Sequence, residues 1–262
     1  DDTLLLDCGP DAPRQAARAG IALDRLRAVL ITHAHRDHLE PSFLLARSWA
    51  GPGQRLRLVG PPSAIEECRH WIGPHDAVDP VAVSPGDVLD IDGYVVRVLA
   101  AAHDVGQDPV TRDAVLYDVA APDGSRLLYA TDTGPLQDAT AEALRGAALD
   151  VLLLEETFGL RTDHGTGHLD LVTFPVELAR LREVGAVTGR TDVVAVHLGH
   201  HNPPQAELAA VLAGWGARIV DDLAVLGPAV RPAAARRALI TGGARSGKSH
   251  EAERRLAALP DV

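Results

Sequence analysis

Short runs of Val, Leu, Ile and Ala alternate along this chain with longer stretches in which apolar residues recur at helical spacing. Brief apolar runs bounded by Gly, Pro, Asn or Asp suit buried strands, whereas a 3.6-residue period suits helices lying on a sheet. The pattern predicts strands at Leu4–Asp7, Ala28–Thr32, Leu56–Gly60, Val81–Ser84, Tyr94–Ala101, Ala114–Val119, Leu127–Thr131, Val151–Glu155, Val193–His197 and Arg218–Val220. Helices are predicted at Ala12–Ala19, Pro41–Ala50, Ser63–Trp71, Leu136–Arg145, Leu169–Val184 and Pro204–Ala213. Such alternation is that of an α/β layered domain. Between Val81 and Thr131 helical periodicity is missing, and Asp92-Gly93 and Asp123-Gly124 mark turns, so this stretch predicts hairpins within a mixed sheet. The Pro/Ala-rich stretch from Gly227 to Ala235 reads as a linker, followed by a short strand at Ala238–Thr241 and a helix to about Leu259. The expected division is a main domain over 1–226, a linker over 227–237 and the opening of a second unit over 238–262.

Composition narrows the function classes. Hydrophobic residues make up 46% and charged residues 23%, ordinary proportions for a globular enzyme. The net charge of −11 argues against sequence-independent binding to nucleic acid or to an anionic membrane, since both need a positive field. No apolar run reaches membrane-spanning length, and the N-terminus lacks a signal-peptide pattern. Cys8 and Cys68 exclude a disulfide framework or a four-cysteine zinc site within the chain, and read as buried thiols of a cytoplasmic protein. Homo-oligomerisation is left open. With no Met, an opening directly into a strand and an end one helix after a Gly-rich loop, the chain reads as a fragment cut at both ends.

The candidate chemistry begins at His33-Ala34-His35-Arg36-Asp37-His38, directly after a strand. Four ligand-type side chains within six residues suit a loop wrapped around metal, because neutral imidazole and carboxylate bind zinc, manganese or iron. His103, Asp132 and His197 each follow a predicted strand, the edge at which α/β sheets carry their sites. Together with Asp7-Cys8-Gly9, this series resembles the metallo-β-lactamase superfamily over roughly residues 1 to 225. The resemblance implies an αββα sandwich, here expected to lack its first strands. It implies two divalent metals, one on His33, His35 and His103, the other on Asp37, His38 and His197, with Asp132 bridging. Asp7 would stand behind them, orienting the His-rich loop. Two such ions lower the pKa of a shared water and clamp the substrate oxygen, and Asp37 would also hold the attacking hydroxide. Zinc is the first choice; manganese and iron remain alternatives.

The segment Leu152–Phe158, followed by Gly165-Thr166-Gly167-His168, resembles the phosphodiesterase branch, which includes tRNase Z and a cyclic phosphodiesterase of phosphonate breakdown. There a Glu and a His protonate the leaving alkoxide; Glu155 and His168 match, with Glu156 a weaker partner. His200 and His201 read as pocket-lining or solvated, and His164, His70 and His75 as unremarkable. A small phosphoester is the expected substrate, with a nucleic acid disfavoured by the acidic balance. Thioester or lactam hydrolysis is the rival chemistry, and a nucleotide-binding module with a vestigial metal site the non-enzymatic one.

Finally, Gly242-Gly243-Ala244-Arg245-Ser246-Gly247-Lys248-Ser249 fits the phosphate loop G-x-x-x-x-G-K-[ST]. Its backbone, opening with Gly242 and closing with Gly247, would cradle phosphates. Lys248, the only lysine, would reach the outer ones, and Ser249 would hold Mg²⁺ with ATP or GTP. The wording from Leu239 to Ser249 resembles the start of adenosylcobinamide kinase/guanylyltransferase of cobalamin biosynthesis, implying a fusion of a hydrolase with a kinase that is incomplete here.

Overall fold

A computed structural model describes residues 4–49, 53–103 and 113–227. Four parallel strands, β1 (Leu4–Leu6), β2 (Ala28–Leu30), β3 (Leu56–Gly60) and β4 (Val78–Ala82), lie side by side in chain order. A second sheet holds β5 (Val88–Ile91), β6 (Tyr94–Ala100), β7 (Val115–Ala120), β8 (Arg126–Ala130), β9 (Val151–Glu155) and β10 (Asp192–Val196), in the order β10-β9-β8-β7-β6-β5. Pairing is antiparallel from β5 to β8 and parallel from β8 to β10. The Asp92-Gly93 hairpin is as expected: both residues have positive φ, 52° and 85°, the backbone a tight two-residue turn requires.

Side chains alternate across each strand and so define three apolar layers. Leu6, Leu30 and Val59 of the small sheet meet Val98, Tyr117, Leu153 and Val194 of the large one. Tyr117 crosses this layer fully buried, and its hydroxyl donates to the Ile31 carbonyl at 2.7 Å, so the polar tip is satisfied where water cannot reach. Leu116, Leu128, Leu152 and Leu154 point the other way, onto α4 (Asp138–Ala143), α5 (Thr173–Glu183) and α6 (Gln205–Gly214), through Phe174, Leu178 and Leu212. Val29, Ile31 and Leu58 pack on α1 (Ala12–Arg18), α2 (Phe43–Trp49) and α3 (Pro62–Arg69), with Cys8 and Cys68 buried and free. The result is the expected αββα sandwich.

Several expected boundaries move, for local reasons. The strand expected at Val81–Ser84 runs instead over Val78–Ala82; it contains Pro80, tolerated because β4 is an edge strand. β5 was not expected, being four residues with an exposed Val88. Arg218–Val220 is not a strand but makes only the bridge Val194↔Arg218. α5 starts at Thr173 rather than Leu169, because Glu155 takes the Leu169 N–H and the Asp170 carboxylate caps the amides of Val172 and Thr173. Among the described residues no helix is long and apolar enough to cross a membrane. The remainder of the linker and the phosphate loop, with Gly242, Gly247, Lys248 and Ser249, lie outside the described residues.

Candidate metal centre

β1, β2, β6, β8, β9 and β10 all end at one edge of the sandwich, and each delivers a polar residue there: Asp7, His33, His103, Asp132, Glu155 and His197. Asp7, Asp132 and His197 have positive φ, 57°, 47° and 55°, in residues that carry a Cβ. That left-handed turn is disfavoured for a non-glycine residue and persists where the surroundings over-determine it. It brings each side chain back over its own strand end.

His33, His38, His103 and His197 each have the outer ring nitrogen engaged. His103 Nδ1 donates to the Gly167 carbonyl at 2.9 Å, an acceptor only, so its Nε2 lone pair faces the centre. His38 Nδ1 donates to Asp7 Oδ2 at 2.7 Å. Asp7 also accepts from the Thr32 amide and hydroxyl and from the Tyr129 hydroxyl, fixing the root of the His-rich loop. The Thr32 hydroxyl, donating to Asp7, receives His33 Nδ1 at 3.0 Å. The Thr157 hydroxyl, donating to Glu155 Oε2, receives His197 Nδ1 at 2.9 Å. Outer partners of this kind set tautomer and ring angle in metal-binding imidazoles.

The inner atoms fall into two groups. His33, His35, His103 and Asp132 bring ligand atoms within 4.8 Å of one another, and so do Asp37, His38 and His197. Asp132 touches both: its Oδ2 lies 3.4 Å from His33 Nε2, and its Oδ1 lies 3.2 Å from His38 Nε2 and 3.0 Å from His197 Nε2. His33 Nε2 and His35 Nδ1 face each other at 3.0 Å, and His103 Nε2 lies 3.2 Å from the same His35 atom.

The donor set fits metal. Among the described residues His38 Nε2 is buried with no hydrogen-bond partner, an orphan aimed at the carboxylates. Burial and the charge on His38 hold His33 down to about pKa 4, the neutral state a ligand requires. Burial alone would raise Asp132, but His38 and His197 hold it well below the carboxylate range. Burial opposes charge on His38 and His197 too, yet Asp132, with Asp7 or Asp37, lifts both above the ordinary histidine value. Those carboxylates call for positive charge, which divalent cations would supply.

Glu155, fully buried at the end of β9, joins the two halves of the site. Its Oε1 accepts the Thr133 amide and His168 Nδ1, the latter at 3.0 Å; its Oε2 accepts Thr157 and the Leu169 amide. His168 brings a ligand-type nitrogen within 4.8 Å of Asp132 and His197, and its side chain is 20% exposed. Burial disfavours the imidazolium, but the bond to Glu155 and its charge outweigh this and raise the His168 pKa. Glu156 points elsewhere: Oε1 accepts the Gly159 amide, Oε2 has no partner among the described residues, and burial lifts its pKa to about 7.

All seven expected metal-site residues, with Glu155 and His168, thus converge. His168 precedes α5 by five residues rather than starting it, and the loop between is what lets it reach Glu155. His164, expected to be unremarkable, is instead buried against Asp170 at 3.0 Å. Sequence reasoning missed Thr32, Thr157, Tyr129 and the Gly167 carbonyl; only Thr32 and Thr157, adjoining the motifs, carried a readable signal.

Residues 2–220 match the β-lactamase superfamily domain. The ribonuclease Z of Mycobacterium bovis is 29% identical over 230 residues, covering 76% of this chain and 75% of that protein. The ribonuclease Z of Methanopyrus kandleri is 33% identical over 103 residues, and the match spans 37% of its length. Among solved structures, a diphosphatase of the PhnP family superposes with a TM-score of 0.64 at 23% identity, over 84% of this chain and 76% of that one. The short form of human tRNase Z also gives 0.64, at 17% identity over 87% and 88%. At these identities the structures establish the fold. The chain belongs to the β-lactamase superfamily and has the metallo-β-lactamase fold.

Proposed function

We propose that this protein is a phosphodiesterase acting on a small phosphoester, with His33, His35 and His103 holding one divalent metal, Asp37, His38 and His197 a second, and Asp132 both. Zinc suits a donor set this rich in imidazole. When bound, such ions supply Lewis acidity and an activated water. The observation that carries the choice of bond is the His168–Glu155 pair beside this cluster. Phosphodiester cleavage expels an alkoxide that needs a proton, and His168, charged through Glu155, delivers it from Nε2. Glu155 holds the Nδ1 proton, so the ring keeps its orientation as it discharges. Asp37, with a side chain 30% exposed and Oδ2 3.3 Å from His197 Nε2, is the carboxylate placed to hold the attacking water's proton.

The test is hydrolysis of bis(p-nitrophenyl) phosphate against a thioester and a lactam. Turnover of the phosphodiester supports the reading, and preferential thioester or lactam turnover contradicts it. His168→Ala, with metal content intact, is expected to cost far more on an alkyl diester, whose alkoxide needs the proton, than on this nitrophenyl ester. The ribonuclease Z relatives favour a second reading, an RNA phosphodiester, and cleavage of a short RNA in preference to small diesters would establish it. Residues 227–262 enter this proposal on their motif alone, as a linker and the opening of a phosphate-binding unit.

A further inference from the structure

Outward from His168, away from the metal-binding residues, the loop from Phe158 to His168 builds an aromatic and cationic ledge. The Phe158 and His168 rings lie 5.4 Å apart, and the Arg161 guanidinium sits 6.0 Å from the Phe158 ring centre. His201 is nearly parallel to Phe158 at 5.6 Å, with its Nε2 3.5 Å from Arg161 Nη1. The ledge is rigid. His164 stacks on Phe158 at 4.1 Å and 3°, and is itself held by Asp170. The Leu160 amide donates to the His201 carbonyl, and Gly159 lies so close to that backbone that a Cβ would meet it at 2.4 Å.

In a chain of net charge −11, the outer end of this ledge carries an exposed guanidinium, Arg161, paired only with Asp163 among the ion pairs of the described residues. The Arg161–Asp163 pair is exposed, and such pairs hold weakly enough to yield to a ligand anion. A half-buried ring beside the proton donor, with a guanidinium beyond it, matches a leaving group that is planar and ends in a negative charge.

We propose that Phe158 and Arg161 form a leaving-group subsite that selects phosphodiesters whose departing alcohol carries a ring and a terminal anion, as a nucleotide does. This rests on the phosphodiesterase reading above and names the substrate class for it. The leaving ring lies along Phe158, its oxygen at His168, and its anionic end displaces Asp163 from Arg161, with His201 alongside.

Two symmetric probes make the leaving group unambiguous: bis(4-carboxyphenyl) phosphate, with a terminal anion, and diphenyl phosphate, without one. Both kcat/KM and the calorimetric Kd are measured for wild type, Arg161→Ala and Phe158→Leu. Taking ratios between proteins cancels the intrinsic reactivity of the two esters. The wild-type preference for the carboxylated ester is expected to fall about tenfold in Arg161→Ala, the scale of one charge-assisted contact. Phe158→Leu is expected to weaken both esters together. A preference unmoved by Arg161→Ala overturns the subsite. Bis(p-nitrophenyl) phosphate in the same preparation reports on the reaction separately: no turnover with an Arg161-dependent Kd ratio sinks the phosphodiesterase and leaves the subsite standing. Turnover with an unresponsive ratio does the reverse.

Discussion

After burial, Glu155 is the largest influence on the charge of His168. Its contact with buried Glu155 outweighs a desolvation that would otherwise keep the ring neutral. An acid must be protonated to act, so on its alkaline side kcat is expected to fall as pH rises through the raised His168 value. In Glu155→Gln that alkaline fall moves to lower pH, a shift visible in a pH–rate profile; an unmoved profile would deny Glu155 this role. His168→Ala is expected to lower kcat on an alkyl phosphodiester by about 10²–10⁴, with metal content per chain unchanged by elemental analysis. The residues of this site were legible in the sequence because ligand types are scarce and their spacing is tight, as in His33 to His38. Of their supports Asp7 was expected, and Thr32 and Thr157 adjoin the motifs without showing their roles. Thr157 and Thr32 are ordinary hydroxyls whose significance is the ring nitrogen each receives, and the carbonyl of Gly167 has no signature at all.

Strands β6, β8, β9 and β10 were legible because their apolar runs are continuous and bounded. β5 and the start of α5 were not, since four residues running from exposed Val88 to buried Ile91 and a cap made by Asp170 leave no periodic trace. Asp170 joins two elements, capping α5 through the Val172 and Thr173 amides and pinning His164 under Phe158. Asp170→Ala is expected to cost about 1–2 kcal/mol in urea unfolding. An unchanged midpoint would mean that α5 needs no such cap. The loop holding His168 also presses on the Asp132 turn: a Cβ on Gly134 would stand 1.7 Å from the Thr166 carbonyl. Gly134→Ala therefore has to displace backbone beside both residues. It is expected to lower both the melting temperature and kcat, and an active, equally stable variant would show that the two loops move independently.

At the scale of the molecule, two sheets share one apolar layer and open their strand ends onto one edge, so a single core positions the whole site. The layering followed from strand and helix alternation, but the division into four and six strands did not, because crossovers leave no mark in hydropathy. Burial of Glu156, close to this edge, has a global consequence. Its folded pKa of about 7 lies above the ordinary carboxyl value of 4.5, so its contribution is fully present below the lower value and is lost as pH rises through the upper one. Glu156→Gln is expected to gain on wild type in urea midpoint between about pH 5 and about pH 8, and a constant difference would refute this. The central claim is that the converging histidines and aspartates hold two metals, with Asp132 shared between them. The most direct test is metal content per chain, with bis(p-nitrophenyl) phosphate turnover, for wild type and Asp132→Ala. About two metals and turnover in wild type, both lost in the variant, are the predicted result. A wild type that binds no divalent metal, or an Asp132→Ala protein that keeps both metals and full activity, would contradict it.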